Sequence, residues 1–334
     1  MDSRARVEAA LAGAAVDRPP VGAWGYRHGE EWSPEALARV TVERARRFGW
    51  DFVKLQPRAT CFAEAFGARY RPAGDDLHAP IIDEPPMTQA DDWRDVRLKE
   101  RHALDDQVET LRRVVRALGD GVPVLQTAFS PLSVASYLAG RENRKLVRWM
   151  RTNPDLVLPA LDRIADALME FCVASVEAGA AGIFYAISGF ATPDSMAPSV
   201  YEDLALPTDL RILAALRSDA WCNVLHLCGS HVTVELARQL PVHAVSYSIH
   251  QQGNPPLSEM ARMSGRAVMG GVEQRRVLME GPRTAIVAQV RQAMVDTDGR
   301  SLLLAPGCSV PPQTPDDHLR ALSDAAGLYP TLKA

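Results

Sequence analysis

The chain has 334 residues, of which 47% are hydrophobic, and this is enough for one large buried core. It carries 37 basic and 41 acidic residues without a long block of either sign, which argues against partners such as nucleic acid or an anionic membrane surface. No apolar stretch reaches the roughly 20 residues that cross a bilayer, and the opening MDSRARVEAALAG lacks the apolar core of a signal peptide. The five scattered cysteines are typical of reduced thiols, so we expect a cytoplasmic protein.

Short β-rich runs alternate along the chain with longer helical patterns. Most of these runs are continuous and apolar, which is typical of parallel strands buried on both faces. Eight runs are candidate strands: 20–24, 51–55, 122–127, 182–186, 222–227, 243–247, 267–271 and 301–305.

Helical signals lie between the candidate strands. Ser33 offers an N-cap before Pro34 at the first helical position, and Gly49 can end that helix. Apolar residues spaced at i, i+3, i+7 and i+10 from Val108 predict another helix that ends at Gly119. Further helices are predicted over 153–179, 282–295 and 315–326. Residues 56–121 carry only helix and loop signals, so we expect an elaboration of the fold there.

Eight strands alternating with helices predict an α/β fold, a single (β/α)₈ TIM barrel domain over residues 1–334 with the elaboration around 56–121. The alternative is an open, doubly wound parallel sheet. That fold would need a glycine-rich phosphate turn after an early strand, and the sequence has none.

A barrel enzyme builds its active site from residues just past the carboxyl ends of its strands. Polar and aromatic residues crowd these positions here, which favours an enzyme over a purely structural domain. The candidates for substrate binding are Trp24, Tyr26, Gln56, Arg58, Tyr185, Ser188, Tyr247 and Glu273. Tyr137, His28 and Arg27 are the candidates for catalysis.

The most specific pattern is a potential metal site. His226 and Cys228 stand two residues apart at a strand end, and in extended backbone such side chains point the same way. Cys308 follows the last candidate strand after Pro306 and Gly307. One imidazole and two thiolates suit Zn²⁺, and three protein ligands with an open fourth position are typical of catalytic zinc. The alternative is chance, because H-x-C alone is a common tripeptide.

Several segments resemble signatures of the uroporphyrinogen decarboxylase superfamily, in the right order. They are DRPPVGAW (17–24), SPLSVASYLAG (130–140), GAAGIFYAISG (179–189), VLHLCG (224–229) and the stretch 269–326. The resemblance covers nearly the whole chain and implies a (β/α)₈ barrel, but it does not fix the subfamily.

One branch of that superfamily contains the metal-free decarboxylases. They carry an R-Q-A-G-R-Y segment after the first strand, an aspartate after the second and a G-H pair after the last. This chain has Gln56 in place of the aspartate and Cys308 after Gly307, although Tyr137 matches the decarboxylases' tyrosine. The resemblance therefore argues against porphyrinogen decarboxylation.

The other branch contains zinc-dependent methyltransferases that carry methyl groups to thiols such as coenzyme M, and cobalamin-independent methionine synthase has a similar zinc barrel. Their hallmark is H-x-C followed about 80 residues later by Cys, which His226, Cys228 and Cys308 match. The resemblance implies one Zn²⁺ per chain. No carboxylate occupies the position of the methionine synthase's glutamate ligand, so His250, water or substrate is left as the fourth ligand.

The leading hypothesis is a zinc-dependent methyl- or alkyltransferase whose partners are a small-molecule thiol and a methyl donor. The chain has no D-x-H-x-x-G corrinoid-binding segment, so any corrinoid is expected to arrive free or on a separate protein. A second hypothesis is decarboxylase or lyase chemistry on a small aromatic or tetrapyrrole acid, and a third is a non-catalytic corrinoid-binding or chaperone-like partner. A homodimer is left open. Stoichiometric zinc would favour transfer over decarboxylation.

Overall fold

Nine strands are present in the computed structural model, which describes residues 1–216 and 219–328. They are β1 Val53–Leu55, β2 Tyr70–Arg71, β3 Ile81–Ile82, β4 Val124–Phe129, β5 Gly182–Ser188, β6 Val224–Cys228, β7 Ala244–Ser246, β8 Ala267–Val272 and β9 Leu302–Pro306. Seven form one curled sheet in the order β1-β4-β5-β6-β7-β8-β9, and each neighbouring pair is parallel. The α/β class and seven of the eight predicted strands are therefore confirmed.

The predicted strand at 20–24 is not a continuous strand. Val21 forms an isolated parallel bridge with Leu304. The Gly22 N–H donates to the Leu304 carbonyl over 3.1 Å, and the Asp51 N–H donates to the Val21 carbonyl over 2.7 Å. The segment thus bonds to β9 and to the residue that leads into β1. Two consecutive prolines at its start lack the N–H groups that a regular ladder requires, which explains its irregular pairing.

Helices connect the strands of the sheet. They are α1 Ser3–Leu11, α2 Pro34–Phe48, α3 Cys61–Glu64, α4 His102–Leu118, α5 Pro131–Leu138, α6 Asn143–Thr152, α7 Pro154–Glu177, α8 Pro198–Leu204, α9 Leu206–Ala214, α10 Glu235–Gln239, α11 Leu257–Ser264, α12 Arg283–Asp296 and α13 Asp316–Ala326. The side-chain oxygen of Ser33 accepts from the Ala36 N–H, and Gly49 takes the left-handed conformation at φ 63°, so both predicted ends of α2 are confirmed. None of the helices in these ranges is long and apolar enough to cross a membrane.

The region 56–121 differs from its prediction of helices and loops only. It contains an antiparallel pair in which Tyr70 of β2 lies opposite Ile82 of β3, and a 3₁₀ helix at Ala90–Asp95. The two strands have two residues each and are partly exposed, so the sequence offers no alternating pattern from which to predict them.

Candidate metal centre

His226, Cys228 and Cys308 come together at one end of the sheet. Their ligating atoms all lie within 4.8 Å of one another, and no other cluster of this kind occurs among residues 1–216 and 219–328. His226 and Cys228 belong to β6, so they share a face of the strand. Cys308 follows β9 by two residues. A Cβ on Gly307 would lie 2.5 Å from the Cβ of Ser248, so glycine lets the Cys308 loop pass close to its neighbour.

The two nitrogens of the buried His226 ring have different surroundings. Nδ1 lies 3.1 Å from the Ser246 hydroxyl on β7, and Nε2 lies 3.7 Å from the Cys308 sulfur. The ring stacks on Phe184 with a centroid distance of 5.2 Å. An Nδ1–H donated to Ser246 leaves Nε2 as the lone-pair donor that faces both thiols, and this is how second-shell groups commonly orient a ligating histidine.

The hydrogen bond between the two thiols, Cys228 and Cys308, shifts their pKa values in opposite directions. The pKa of Cys308 lies well below its ordinary value, chiefly because a hydrogen bond from the Cys228 thiol stabilises its thiolate. The pKa of Cys228 is raised because that thiol supplies the hydrogen bond and is itself desolvated. Burial alone raises the pKa of Cys172 and Cys222, so those two thiols stay protonated. The structure therefore places a thiol of lowered pKa beside a second thiol that a metal ion could deprotonate.

These donors line a cavity of about 720 Å³ at the carboxyl ends of the strands. Of the residues predicted to form the site, several line this cavity together with the three potential ligands: Trp24, Tyr26, Gln56, Tyr137 and Ser188. Phe129 and Phe184 add apolar walls. Tyr26 stays protonated, because burial raises the pKa of its hydroxyl well above the ordinary value.

The charged residues predicted after the first two strands lie outside this cavity. Arg27 pairs with Glu30 at 3.0 Å, and Arg58 pairs with Glu64 at 2.6 Å. His28 Nδ1 lies 2.9 Å from the buried carboxylate of Glu31. His28 lines a neighbouring cavity of about 220 Å³, which shares Tyr26, Tyr137 and Arg141 with the first.

The structure also does not bring Tyr185, Tyr247, Glu273 or His250 into the cavity. Alternation along β5 turns Phe184 inward and Tyr185 outward, where its hydroxyl donates to Asp209 over 2.6 Å. The Tyr247 hydroxyl donates to the Pro255 carbonyl over 3.0 Å. The Glu273 carboxylate accepts from backbone N–H groups of the following turn, including that of Val277 at 2.9 Å. His250 Nε2 lies 3.2 Å from the Gly271 carbonyl. It is not part of the group of His226, Cys228 and Cys308, which we call the metal cluster.

Several cavity residues were not among the predicted site residues. Lys54, Arg141 and Arg275 are the charged residues that line the cavity in addition to the metal cluster, and its lining contains no aspartate or glutamate. The sequence signal for Lys54 is a single lysine inside the apolar run 51–55, two residues before Gln56. Arg141 and Arg275 lie in loops, where no sequence pattern indicates their direction.

Comparison with known proteins supplies a family. The family model described as uroporphyrinogen decarboxylase (URO-D) matches residues 2–329. The methylcobamide:CoM methyltransferase MtaA of Methanosarcina barkeri is 26% identical over 98% of both chains. A uroporphyrinogen decarboxylase of Syntrophotalea carbinolica is 26% identical over 87% of this chain and 83% of that one.

Solved structures support the same fold. A methyltransferase from Methanosarcina mazei superposes with a TM-score of 0.81 over 100% of both chains at 24% identity. A B12-independent methionine synthase from a Shewanella species superposes with a TM-score of 0.59, covering 90% of this chain and 88% of that one at 15% identity. At these identities the structures support the architecture and leave the reaction open.

Proposed function

Because this chain belongs to the uroporphyrinogen decarboxylase family, an enzyme family with methyltransferase relatives, we propose that it is a zinc-dependent methyl- or alkyltransferase acting on a thiol. The observation that carries the proposal is the convergence of His226, Cys228 and Cys308 in one cavity. The true decarboxylases of the superfamily need no such donor set, whereas a catalytic zinc site does. The likeness to the methylcobamide:CoM methyltransferase supports the same choice.

The donor set fits Zn²⁺ in three respects. It offers one imidazole nitrogen and two sulfurs, it leaves room for a fourth ligand from the cavity, and Ser246 fixes the ring of the histidine. A zinc ion held there would lower the pKa of a coordinating thiol, so that the thiol reacts as a thiolate near neutral pH. We therefore propose one zinc per chain, with the substrate or water as the fourth ligand.

The remaining cavity residues would bind and shield the reactants. Trp24, Phe129 and Phe184 form an apolar wall that keeps water from the methyl group. Tyr137 and Tyr26 line the same space, and their hydroxyls could orient the donor. In the proposed reaction the thiol gives its proton to solvent, and its sulfur bonds to the methyl carbon. The bond between that carbon and its donor breaks, and the electron pair stays on the donor.

The methyl donor would come from outside the chain. The similarity to a methylcobamide:CoM methyltransferase suggests that the donor is a methylated corrinoid, which arrives free or on a separate protein. His28 would act as a positioning residue, because its ring stacks on Tyr26 at a centroid distance of 5.4 Å. We further propose that residues 20–25 take the place of the eighth strand of the curled sheet. Residues 1–334 would then form one barrel domain.

The test is a transfer assay with defined reactants. Zinc-loaded protein is incubated with methylcobalamin and, in turn, 2-mercaptoethanesulfonate, homocysteine and 2-mercaptoethanol, and the methylated thiol is measured by mass spectrometry. We expect methylation of at least one thiol, and its loss after the metal is removed. Absence of transfer to every thiol, from free methylcobalamin and from a methylated corrinoid protein alike, would contradict the proposal.

Decarboxylation of a small aromatic or tetrapyrrole acid is the second candidate. The observation that favours it is the presence of Tyr137 beside the cationic side chains Lys54, Arg141 and Arg275, which could hold carboxylates. Release of CO₂ from such an acid at equal rates by metal-loaded and metal-stripped protein would favour this reaction over transfer.

A further inference from the structure

Lys54 is a buried lysine inside the cavity that His226, Cys228 and Cys308 line. It is the central residue of β1, its relative exposure is 6%, and it lines the cavity. Gln56, two residues on, shares its face of the strand and lines the same space. The lysine therefore belongs to the interior of the site and not to the protein surface, where most lysines lie.

Hydrogen bonds fix the lysine relative to the metal cluster. Its Nζ donates to Gln56 Oε1, which also accepts from the Ser309 hydroxyl over 3.3 Å. Ser309 is the neighbour of Cys308 in the chain. The ammonium lies 4.7 Å from the centroid of Phe184, the ring that stacks on His226. A ligand of a few atoms could thus contact the lysine and the metal cluster together.

No carboxylate neutralises this ammonium. Within the part of the chain that the structure describes, Lys54 takes part in no ion pair, and the cavity lining holds no acidic residue. The amide oxygen of Gln56 and the faces of two aromatic rings are weaker partners than an anion. Burying a charge without a counter-ion is unfavourable. Accordingly, burial lowers the pKa of Lys54 to about 7.

Apart from the two cysteines, the other charged side chains of the cavity are also basic. Arg141 and Arg275 line it from exposed loops, and neither is seen in an ion pair among the described residues. With a neutral or cationic ligand, the cysteine thiolates would be the only anions available to Lys54, Arg141 and Arg275 in this cavity. An anionic ligand would supply a further negative charge beside the desolvated lysine.

We propose that Lys54 is the subsite for an anionic group, a sulfonate, carboxylate or phosphate, of the ligand that fills this cavity. Combined with the proposed function, on which this step rests, the subsite makes the acceptor an anionic thiol: its sulfur faces the cysteines and histidine while its anionic end contacts Lys54. The binding of the anion itself does not depend on methyl transfer, so the two ideas can fail separately.

A competing role for Lys54 is to balance the thiolates of the cluster, because its charge also interacts with that of Cys308. That role predicts a change in metal affinity when the lysine is removed, but no change in the binding of an anion that carries no thiol. The subsite predicts the reverse.

The experiment measures the binding of ethanesulfonate, which has the anionic group but no thiol, to the full-length zinc-loaded protein by calorimetry. Lys54→Met removes the charge and keeps an unbranched apolar side chain. The control Lys99→Met removes a charge from an exposed lysine outside the cavity. We expect Lys54→Met to raise the dissociation constant at least tenfold, equal to about 1.4 kcal/mol, and Lys99→Met to leave it unchanged. Equal dissociation constants for Lys54→Met and the wild type would overturn the inference.

A second measurement uses the wild type alone and holds even where Lys54→Met fails to fold. Ethyl methyl sulfone has nearly the shape of ethanesulfonate without its charge, so we expect it to bind at least tenfold more weakly. Equal affinity for the two would overturn the subsite. Propionate and methyl phosphate, compared in the same way, identify the preferred anion. Anion binding through Lys54 without methyl transfer would leave the subsite standing and reject the proposed function.

Discussion

The Cys308 sulfur lies 3.7 Å from His226 Nε2, although 82 positions separate the two residues in the chain. The contact exists because β6 and β9 end at the same edge of a parallel sheet, where side chains from distant strands converge. It is the relationship on which the proposed metal site depends.

Removing either sulfur of the cluster should remove the metal. We expect about one zinc per chain in the wild type and less than half of that in Cys228→Ser and Cys308→Ser, because each variant loses one of three protein ligands. The measurement is zinc by plasma mass spectrometry after dialysis. Cys222→Ala, in a buried thiol outside the cluster, is the matched control and should keep its zinc. Full zinc in both serine variants would contradict the assignment.

The hydroxyl of Ser246 should tune metal affinity without binding the metal. Ser246→Ala leaves His226 Nδ1 without its partner at 3.1 Å, so the ring is less well oriented. Loss of such a second-shell partner typically weakens metal binding 10- to 100-fold. Competition with a chromophoric zinc chelator measures this change. An unchanged zinc dissociation constant would mean that the hydroxyl has no part in orienting the histidine.

His28 should support turnover from the neighbouring cavity. His28→Ala removes the ring that stacks on Tyr26 and leaves the buried Glu31 carboxylate without its partner. We expect turnover to fall at least about tenfold, which is about 1.4 kcal/mol in the activation barrier, while zinc content stays at the wild-type level. His78→Ala, in an exposed histidine paired with Asp75, should change neither quantity. Unchanged turnover in His28→Ala would mean that His28 has only a structural role.

Asp209 should make stability depend on pH. Burial raises the pKa of its carboxyl to about 7 in the folded protein, although the hydroxyls of Tyr185 and Tyr201 both bond to it. The folded state therefore holds this proton more tightly than the unfolded state. The stability that it contributes is complete below about pH 4 and is lost as pH rises to about 7.

Asp209→Asn removes that proton equilibrium, so the comparison isolates it. Between pH 5 and pH 8, the free energy of unfolding of the wild type should fall by about 2 to 3 kcal/mol relative to Asp209→Asn. Urea denaturation at both pH values measures the difference. A difference between the two proteins that is the same at pH 5 and pH 8 would refute the raised pKa.

The strands and the metal cluster could be predicted from the sequence for the same physical reason. Seven apolar runs coincide with strands of the sheet to within two residues at each end. Side chains at i and i+2 of a strand share a face, so His226 and Cys228 had to lie together wherever β6 was placed. The approach of Cys308 followed from the rule that parallel strands present their carboxyl ends at one edge.

The residues that sequence reasoning misplaced depend on tertiary partners. Tyr185 lies near the end of the predicted strand 182–186, but β5 continues to Ser188, and strand alternation turns Tyr185 toward Asp209, 24 positions away in the chain. The Glu273 carboxylate accepts hydrogen bonds from backbone N–H groups of the next turn and does not face the cavity. Lys54 lies in an apolar run, and such a run does not reveal which of its residues faces the interior of the sheet. The catalytic and binding roles of Tyr137, Trp24 and Gln56 stay predictions, now with a cavity in which to test them.

X-ray absorption at the zinc edge tests the central claim most directly. Two Zn–S distances of roughly 2.3 Å and at least one Zn–N distance of roughly 2.0 Å are expected for the protein alone, from Cys228, Cys308 and His226. Adding the thiol that is methylated in the transfer assay should raise the sulfur count from two to three as the thiol takes the fourth position. A spectrum that keeps two sulfurs at saturating thiol, or one that shows no sulfur at all, would contradict zinc-activated thiol transfer at this site.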